Sequence, residues 1–325
     1  MHKNIRTFLC GEQLKGKDFL SVSDLSSEDI NLLMSDTMVM KASGWLTSLG
    51  DKTLALLFEK PSLRTRTSFE VAVRQLGGQA IYLSPAEVGL GQRESVPDVA
   101  RVLSRYVDAV FARTFSHQTL ELLAENASIP VINALSDREH PCQALADLFT
   151  IYEKKGILNG LTLAYVGDGN NVANSLMLAS ALTGINFRIA APKGYQVGKD
   201  ILQTAKDYAL DSGSRITCTT KANEAVFNAD IVYTDVWTSM GQEAEADKRR
   251  KAFAAYQVNG KLMALANEDA ILMHPLPAHR GEEITDDVLD SPLSVVFDQA
   301  ENRLHTIKAL LVSILGGLEM PLPRY

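Results

Sequence analysis

Two arginines stand one residue apart behind a serine in Ser62-Leu63-Arg64-Thr65-Arg66. The run follows an apolar stretch of strand length, Thr53–Phe58. It opens a segment in which Phe69, Ala72, Val73 and Leu76 recur at helical spacing. Pro61 and Ser62 are start signals for that helix and Gly77-Gly78 a stop signal. A helix start gathers free backbone N–H groups and the positive end of the dipole, so guanidinium groups are unfavourable there unless an anion joins them. Ser62 and Thr65 add hydroxyl donors, and Arg64 can grip a phosphate through two parallel bonds. The plainer reading is a capped helix with solvated arginines, and it leaves two cations at a positive dipole end unexplained. The chemistry to expect is anion binding, and phosphate in particular.

Other runs repeat the pattern of polar residues just beyond an apolar strand. Arg113 ends the strand Ala109–Ala112. His140 and Gln143 lie three apart across a helix start beyond Val131–Asn133, so both can face one point. A lone histidine is more often a satisfied structural residue, and spacing alone does not choose. Gly167-Asp168-Gly169-Asn170-Asn171-Val172 has two glycines of a dinucleotide loop, but Val172 occupies the third position. After the next strand, Phe187–Ala191, comes Pro192-Lys193-Gly194, with no acid for a ribose. A nicotinamide dehydrogenase is a poor fit. Asp235-Val236-Trp237-Thr238-Ser239-Met240-Gly241 follows the strand Ile231–Thr234, and His274-Pro275-Leu276-Pro277 ends Ile271–His274. Ligands of open α/β sheets bind at such strand ends.

The elements that must position these residues are strands buried on both faces alternating with helices. Further strands are expected at Gln79–Leu83, Leu161–Val166 and Val295–Phe297. Helices are expected over residues 24–43, with Asp24 or Ser26 as cap, over Cys142–Lys155 and over 301–316. The alternation predicts an α/β fold of two domains, each a mostly parallel sheet flanked by helices, joined by interdomain helices. Gly156–Gly160 marks the junction, dividing 1–150 from 151–302.

The bulk figures agree with two cores. The chain has 325 residues, 46% hydrophobic and 22% charged. A net charge of −7 argues against nucleic acid and anionic membranes as partners. No run reaches the roughly 18 apolar residues of a membrane span. Three scattered cysteines, Cys10, Cys142 and Cys218, predict neither disulfides nor a zinc site, and they fit a cytoplasmic protein.

Taken in order, these runs resemble the motifs of the aspartate and ornithine carbamoyltransferases, over about residues 6–320. Ser62–Arg66 is similar to the family's Ser-x-Arg-Thr-Arg, with Leu63 where ornithine enzymes often carry Thr. His140-Pro141-Cys142-Gln143 is similar to its carbamoyl-binding His-Pro-x-Gln. Asp235–Gly241 resembles the Asp-x-x-x-Ser-Met-Gly of the ornithine branch. The resemblance implies carbamoyl phosphate as donor, bound by Ser62, Leu63, Arg64, Thr65, Arg113, His140, Gln143 and Arg303. Arg64, Thr65, Arg113 and His140 would be catalytic, and Gln143 would hold the carbamoyl NH2. It implies L-ornithine as acceptor, met by Asn171, Asp235, Ser239, Met240 and Leu276, with L-citrulline and phosphate as products. Pro275 is a departure, because ornithine enzymes commonly carry Cys there and His-Pro-Leu-Pro is the aspartate form. The continuation Ala278–Glu283 is the ornithine form. The resemblance further implies no cofactor, no metal, a role in arginine biosynthesis, and a C-terminal helix within 303–325 packing back on the first domain. It also implies a homotrimer with shared active sites, in which the loop Glu87–Ser95 brings Gln92 or Arg93 to a neighbour. The rival readings are another acceptor (aspartate, putrescine or an acylated ornithine) and a non-catalytic anion- or amino-acid-binding protein.

Overall fold

The structure is a computed structural model that describes residues 12–43, 48–239 and 241–316. The chain forms two compact units, one of residues 1–137 with 303–325 and the other of residues 138–302.

The first unit holds a parallel sheet of β1 (Thr53–Phe58), β2 (Gln79–Leu83), β3 (Ala109–Arg113) and β4 (Val131–Leu135), in the order β2-β1-β3-β4. Its helices are α1 (Ser27–Ser43), α2 (Leu63–Gln75), α3 (Pro85–Val88), α4 (Val96–Leu103) and α5 (His117–Asn126). Ala55, Leu57, Val110, Ala112 and Val131 pack against Val96 and Ala100 of α4 and against Leu120 and Leu123 of α5. Each large aliphatic side chain buried this way contributes about 1.5–3 kcal/mol, which holds β1 and β3 side by side. The chain leaves β1 toward β2 on one side and returns to β3 on the other. The carboxyl ends of β1 and β3 therefore flank the point where strand order reverses, which is where open parallel sheets form a crevice.

The second unit holds β5 (Thr162–Val166), β6 (Asn186–Ala190), β7 (Ile216–Thr219), β8 (Ile231–Tyr233) and β9 (Ile271–Met273), all parallel, in the order β7-β6-β5-β8-β9. Its helices are α6 (Pro141–Lys155), α7 (Asn171–Thr183), α8 (Lys199–Ser212), α9 (Ala222–Val226), α10 (Ala246–Phe253), α11 (Gly260–Met263) and α12 (Asp286–Leu289). The last helix, α13 (Val296–Leu315), starts in this unit and belongs to the first from Arg303 onward. The reversal point here lies between β5 and β8. Trp237, Phe253, Tyr256 and Leu272 lie in the core on one side of this sheet.

The expected α/β class is what forms. Two local expectations differ, and one strand lies where none was expected. Val295–Phe297 is no strand: Val295 N–H bonds the Leu272 carbonyl at 3.0 Å, and the chain then turns directly into α13. The first turn of a buried helix carries the same apolar residues as a strand. The unexpected strand is β7, an edge strand that pairs with β6. Thr217 and Cys218 are exposed, so no continuous apolar run marks it. The first long helix begins at Ser27 rather than at 24, capped by Ser26, whose Oγ accepts the Asp29 N–H at 3.1 Å.

Candidate active site

In the first unit, Ser62 has extended backbone angles and its Oγ accepts the Thr65 N–H at 3.2 Å, so it caps α2. That cap turns Thr65 inward, and its side chain is buried. Two guanidinium groups converge on its hydroxyl. Arg113 Nη1 lies 3.4 Å from Thr65 Oγ1 and Arg303 Nη2 lies 3.0 Å from it. Arg113 ends β3 in register with Phe58, the last residue of β1, which places it beside the start of α2. It is 8% exposed, and its Nε has no hydrogen-bond partner among the described residues. Burial first, then Arg303 and Arg64, push its guanidinium down to about 10. Arg64 is half-buried, and burial lowers its pKa as well. Leu63 is 77% exposed, so its side chain contributes little to the core and its backbone is what it offers here. Ser62, Arg64, Thr65, Arg113 and Arg303 are thus brought together.

Lys60 was not singled out from the sequence, although it lies two residues before Ser62. It is buried, with its ammonium 4.6 Å from the centre of the Phe115 ring. Burial, then Arg113, lowers its pKa. Cations gathered out of water in this way are chemically suited to a multiply charged anion.

In the second unit, His140 precedes α6 as its cap residue, and Pro141 occupies the first turn. The His140 N–H donates to Ser175 Oγ at 2.9 Å, and Ser175 Oγ donates to Glu139 Oε2 at 3.0 Å, fixing the backbone there. Gln143 sits one turn further on and is buried. Its Nε2 donates to Asp147 Oδ1 at 2.8 Å, whereas its Oε1 has no partner among the described residues.

The reversal point of the second sheet gathers a different set. Asp235 follows β8 and is buried. Its Oδ1 accepts the Val236 N–H and its Oδ2 accepts Asn170 Nδ2, each at 2.8 Å. Burial raises its pKa, with His274, Asn170 and the Val236 amide opposing. Of the asparagine pair, Asn170 touches Asp235. It also caps α7 through bonds from the Val172 and Ala173 amides. Asn171 begins α7 and its Oδ1 accepts the Val172 N–H at 3.1 Å. Ser239 is half-buried, with its N–H on Gln242 Oε1 at 3.1 Å; Met240 lies outside the described residues. Leu276 has a left-handed φ of 56°, held by its N–H on His274 Nδ1 at 2.9 Å. That bond leaves the His274 proton on Nε2, facing Glu283 Oε1 at 3.2 Å. Gly169 is required here for closeness rather than for phosphate. A Cβ on it would come within 2.4 Å of the Val197 nitrogen.

Asp168 and Arg249 also went unnoticed in the sequence, because they are 81 residues apart. They form an ion pair that is 5–9% exposed, and Arg249 Nε donates to the Trp237 carbonyl at 2.5 Å. The Arg249 guanidinium lies over the rings of Tyr195 and Phe253. Burial pushes Asp168 up to about 6, with Arg249 opposing and Asp235 adding to the rise. This folded-state value stands above the ordinary 3.8, so the unfolded chain releases the proton first. Stability due to Asp168 is therefore highest below about pH 4, falls as pH rises to about 6, and is level above that. The gap in unfolding free energy between wild type and Asp168→Asn is expected to shift by about 2–3 kcal/mol against the wild type over that interval. Denaturant titrations at a series of pH values measure the gap. A gap that holds constant, or shifts the other way, contradicts the assignment.

Among the described residues, no helix is long and apolar enough to cross a membrane. The family model described as the aspartate/ornithine carbamoyltransferase carbamoyl-P binding domain matches residues 17–153, and the Asp/Orn binding domain model matches residues 159–314. The ornithine carbamoyltransferase of Anoxybacillus flavithermus is 54% identical over 307 residues, covering 93% of this chain and 98% of that protein. The Bacillus subtilis enzyme of the same name is 54% identical over 302 residues, covering 93% of this chain and 95% of its own. The solved structure of the Pyrococcus furiosus ornithine carbamoyltransferase superposes with a TM-score of 0.91 at 50% identity, over 94% of this chain and 99% of that one. With its two sheets, its cation cluster and both family models in chain order, this chain belongs to the aspartate/ornithine carbamoyltransferase family.

Proposed function

We propose that the protein is an ornithine carbamoyltransferase, moving the carbamoyl group of carbamoyl phosphate to the side-chain amine of L-ornithine to give L-citrulline and phosphate. The observation that carries this reading is the convergence of Arg113 and Arg303 on Thr65 beside the capped start of α2, a cradle suited to a phosphate dianion. Relatives named ornithine carbamoyltransferase, 50–54% identical over nearly the whole chain, support the choice of acceptor.

The roles follow from charge. Ser62, the Leu63 backbone, Arg64, Arg113 and Arg303 neutralise the donor phosphate. Thr65, Arg113 and His140 donate to the carbonyl oxygen as it becomes an oxyanion, and Gln143 accepts from the carbamoyl NH2. Asp235, assisted by Asn171, Ser239, Met240 and Leu276, takes the α-amino-acid end of ornithine. An ammonium brought against Asp235 offsets the burial that raises its pKa. The Nδ amine must shed its proton, from an ordinary pKa of about 10.4. It then attacks the carbonyl carbon, the bond to the phosphate oxygen breaks with its electron pair staying on the phosphate, and that phosphate takes up the remaining extra proton of the attacking nitrogen. Phosphate is a good leaving group, so positioning and electrostatics supply the rate and no covalent enzyme intermediate is needed.

In this reading the segment 1–150, with the C-terminal helix, serves the donor, and 151–302 serves the amino acid. The protein works in the cytoplasm as a homotrimer with shared sites, needs no cofactor and no metal, and takes part in arginine biosynthesis. A Pyrococcus furiosus relative carries "anabolic" in its name. A colorimetric citrulline assay with carbamoyl phosphate and a panel of ornithine, aspartate, putrescine and N-acetylornithine tests the reading. Turnover with ornithine alone is expected. Preference for another amine, or no turnover with any, overturns it.

A further inference from the structure

Gln143 has one acceptor and one two-proton donor on its amide, and which of them faces the substrate decides what the site can hold. The surrounding residues determine that. Asp147 lies one turn along α6 and is fully buried. Three donors converge on its carboxylate: Gln143 Nε2 at 2.8 Å and Gln299 Nε2 at 2.7 Å on Oδ1, and the Tyr233 hydroxyl at 2.9 Å on Oδ2. A carboxylate surrounded by donors acts as an acceptor, so the Gln143 NH2 must face Asp147. Gln143 Oε1 is then turned the other way, buried and without a partner among the described residues. A buried unpaired acceptor is costly, and a ligand that brings a hydrogen-bond donor to that point, as an N–H does and a CH3 does not, relieves the cost.

We infer that Asp147 is a positioning residue that holds Gln143 with its oxygen outward, and that this orientation makes the site select a carbamoyl donor over an acetyl donor. The inference rests on the carbamoyltransferase reading above. A carbamoyl group ends in NH2 where an acetyl group has CH3. The two are close in size, so shape cannot separate them and the orphan oxygen can. Gln299 anchors Asp147 further, because its Oε1 accepts the His274 N–H at 2.9 Å. The carboxylate is thereby linked to the His274–Leu276 turn.

The test compares the KM for carbamoyl phosphate with the Ki of acetyl phosphate as a competing donor, in wild type and in Asp147→Asn. An asparagine can present its own NH2 to Gln143, so that Gln143 turns its NH2 toward the donor. The Ki/KM ratio is expected to fall by about 10- to 100-fold, mostly through KM. The Ki of inorganic phosphate, which reports on the cation cradle alone, is expected to stay within about twofold. In a Gln143→Leu background the Asp147→Asn change should add nothing to the ratio, whereas a general packing role would add its effect to both backgrounds. Should Asp147→Asn fail to fold, Tyr233→Phe removes a donor from the other carboxylate oxygen and is expected to lower the ratio in the same direction by a smaller factor. An unchanged ratio in the folded variant, or equal losses for phosphate and carbamoyl phosphate, overturns the inference. A wild type that forms citrulline separates that failure from failure of the functional reading. A wild type that forms none removes both.

Discussion

Arg113→Met is expected to lower kcat/KM by about 10³-fold or more while leaving the unliganded protein as stable as the wild type or more so. The two halves of this result have one cause. Arg113 is buried beside Arg303 and Arg64, and the loss of water first, then those neighbours, hold its pKa at about 10, well below the ordinary guanidinium value. A cation whose folded pKa is depressed costs stability at every pH below that value, because the unfolded chain carries the charge more easily. Methionine keeps most of the buried stem and removes the charge, so a gain of about 1–2 kcal/mol is expected in the free protein. The donor reverses the balance: a phosphate dianion turns the crowded cations from a liability into the binding energy. Inorganic phosphate should therefore raise the melting temperature of the wild type and barely move that of the variant. Thermal melts with and without phosphate, beside steady-state rates, check both halves. A variant that is several kcal/mol less stable, or that retains near-normal rates, refutes the cradle.

The second large effect is on stability. Arg249→Met is expected to destabilise the second unit by about 3–5 kcal/mol at pH 7.5. The substitution leaves the Asp168 carboxylate buried without its partner and the Trp237 carbonyl without the Arg249 donor. The penalty should shrink at pH 5, below the value of about 6 to which burial pushes Asp168, because the carboxylate is then neutral and needs no cation. The same guanidinium ties the strand end before Ser239 to the loop after β5, so surviving protein should show a raised KM for ornithine with little change in KM for carbamoyl phosphate. Denaturant midpoints at the two pH values measure the first effect, and initial rates the second. An equal penalty at both pH values, or one below about 1 kcal/mol, sinks the account.

The fold thus carries buried charged groups at a cost to its own stability. Arg113, Lys60 and Asp168 all have pKa values displaced against their charged forms, burial being the first cause in each case. Perturbed groups of this kind gather at working sites.

The sequence by itself determined the α/β class, most of the buried strands, the capped start of α2 and the runs that carry Arg64, Arg113, His140, Gln143 and Asp235. These are local properties. Apolar runs, caps and residues one helical turn apart can be read along the chain, because the groups that make them are neighbours in it. The tertiary structure alone decided that Arg113 and Arg303, 190 residues apart, both reach Thr65. It also decided that Asn170 meets Asp235 and that Arg249 pairs with Asp168. Each of these depends on strand order. Parallel strands are joined by long crossovers, so the residues at their carboxyl ends become neighbours only once the sheet has been assembled, and nothing in their local spacing announces it.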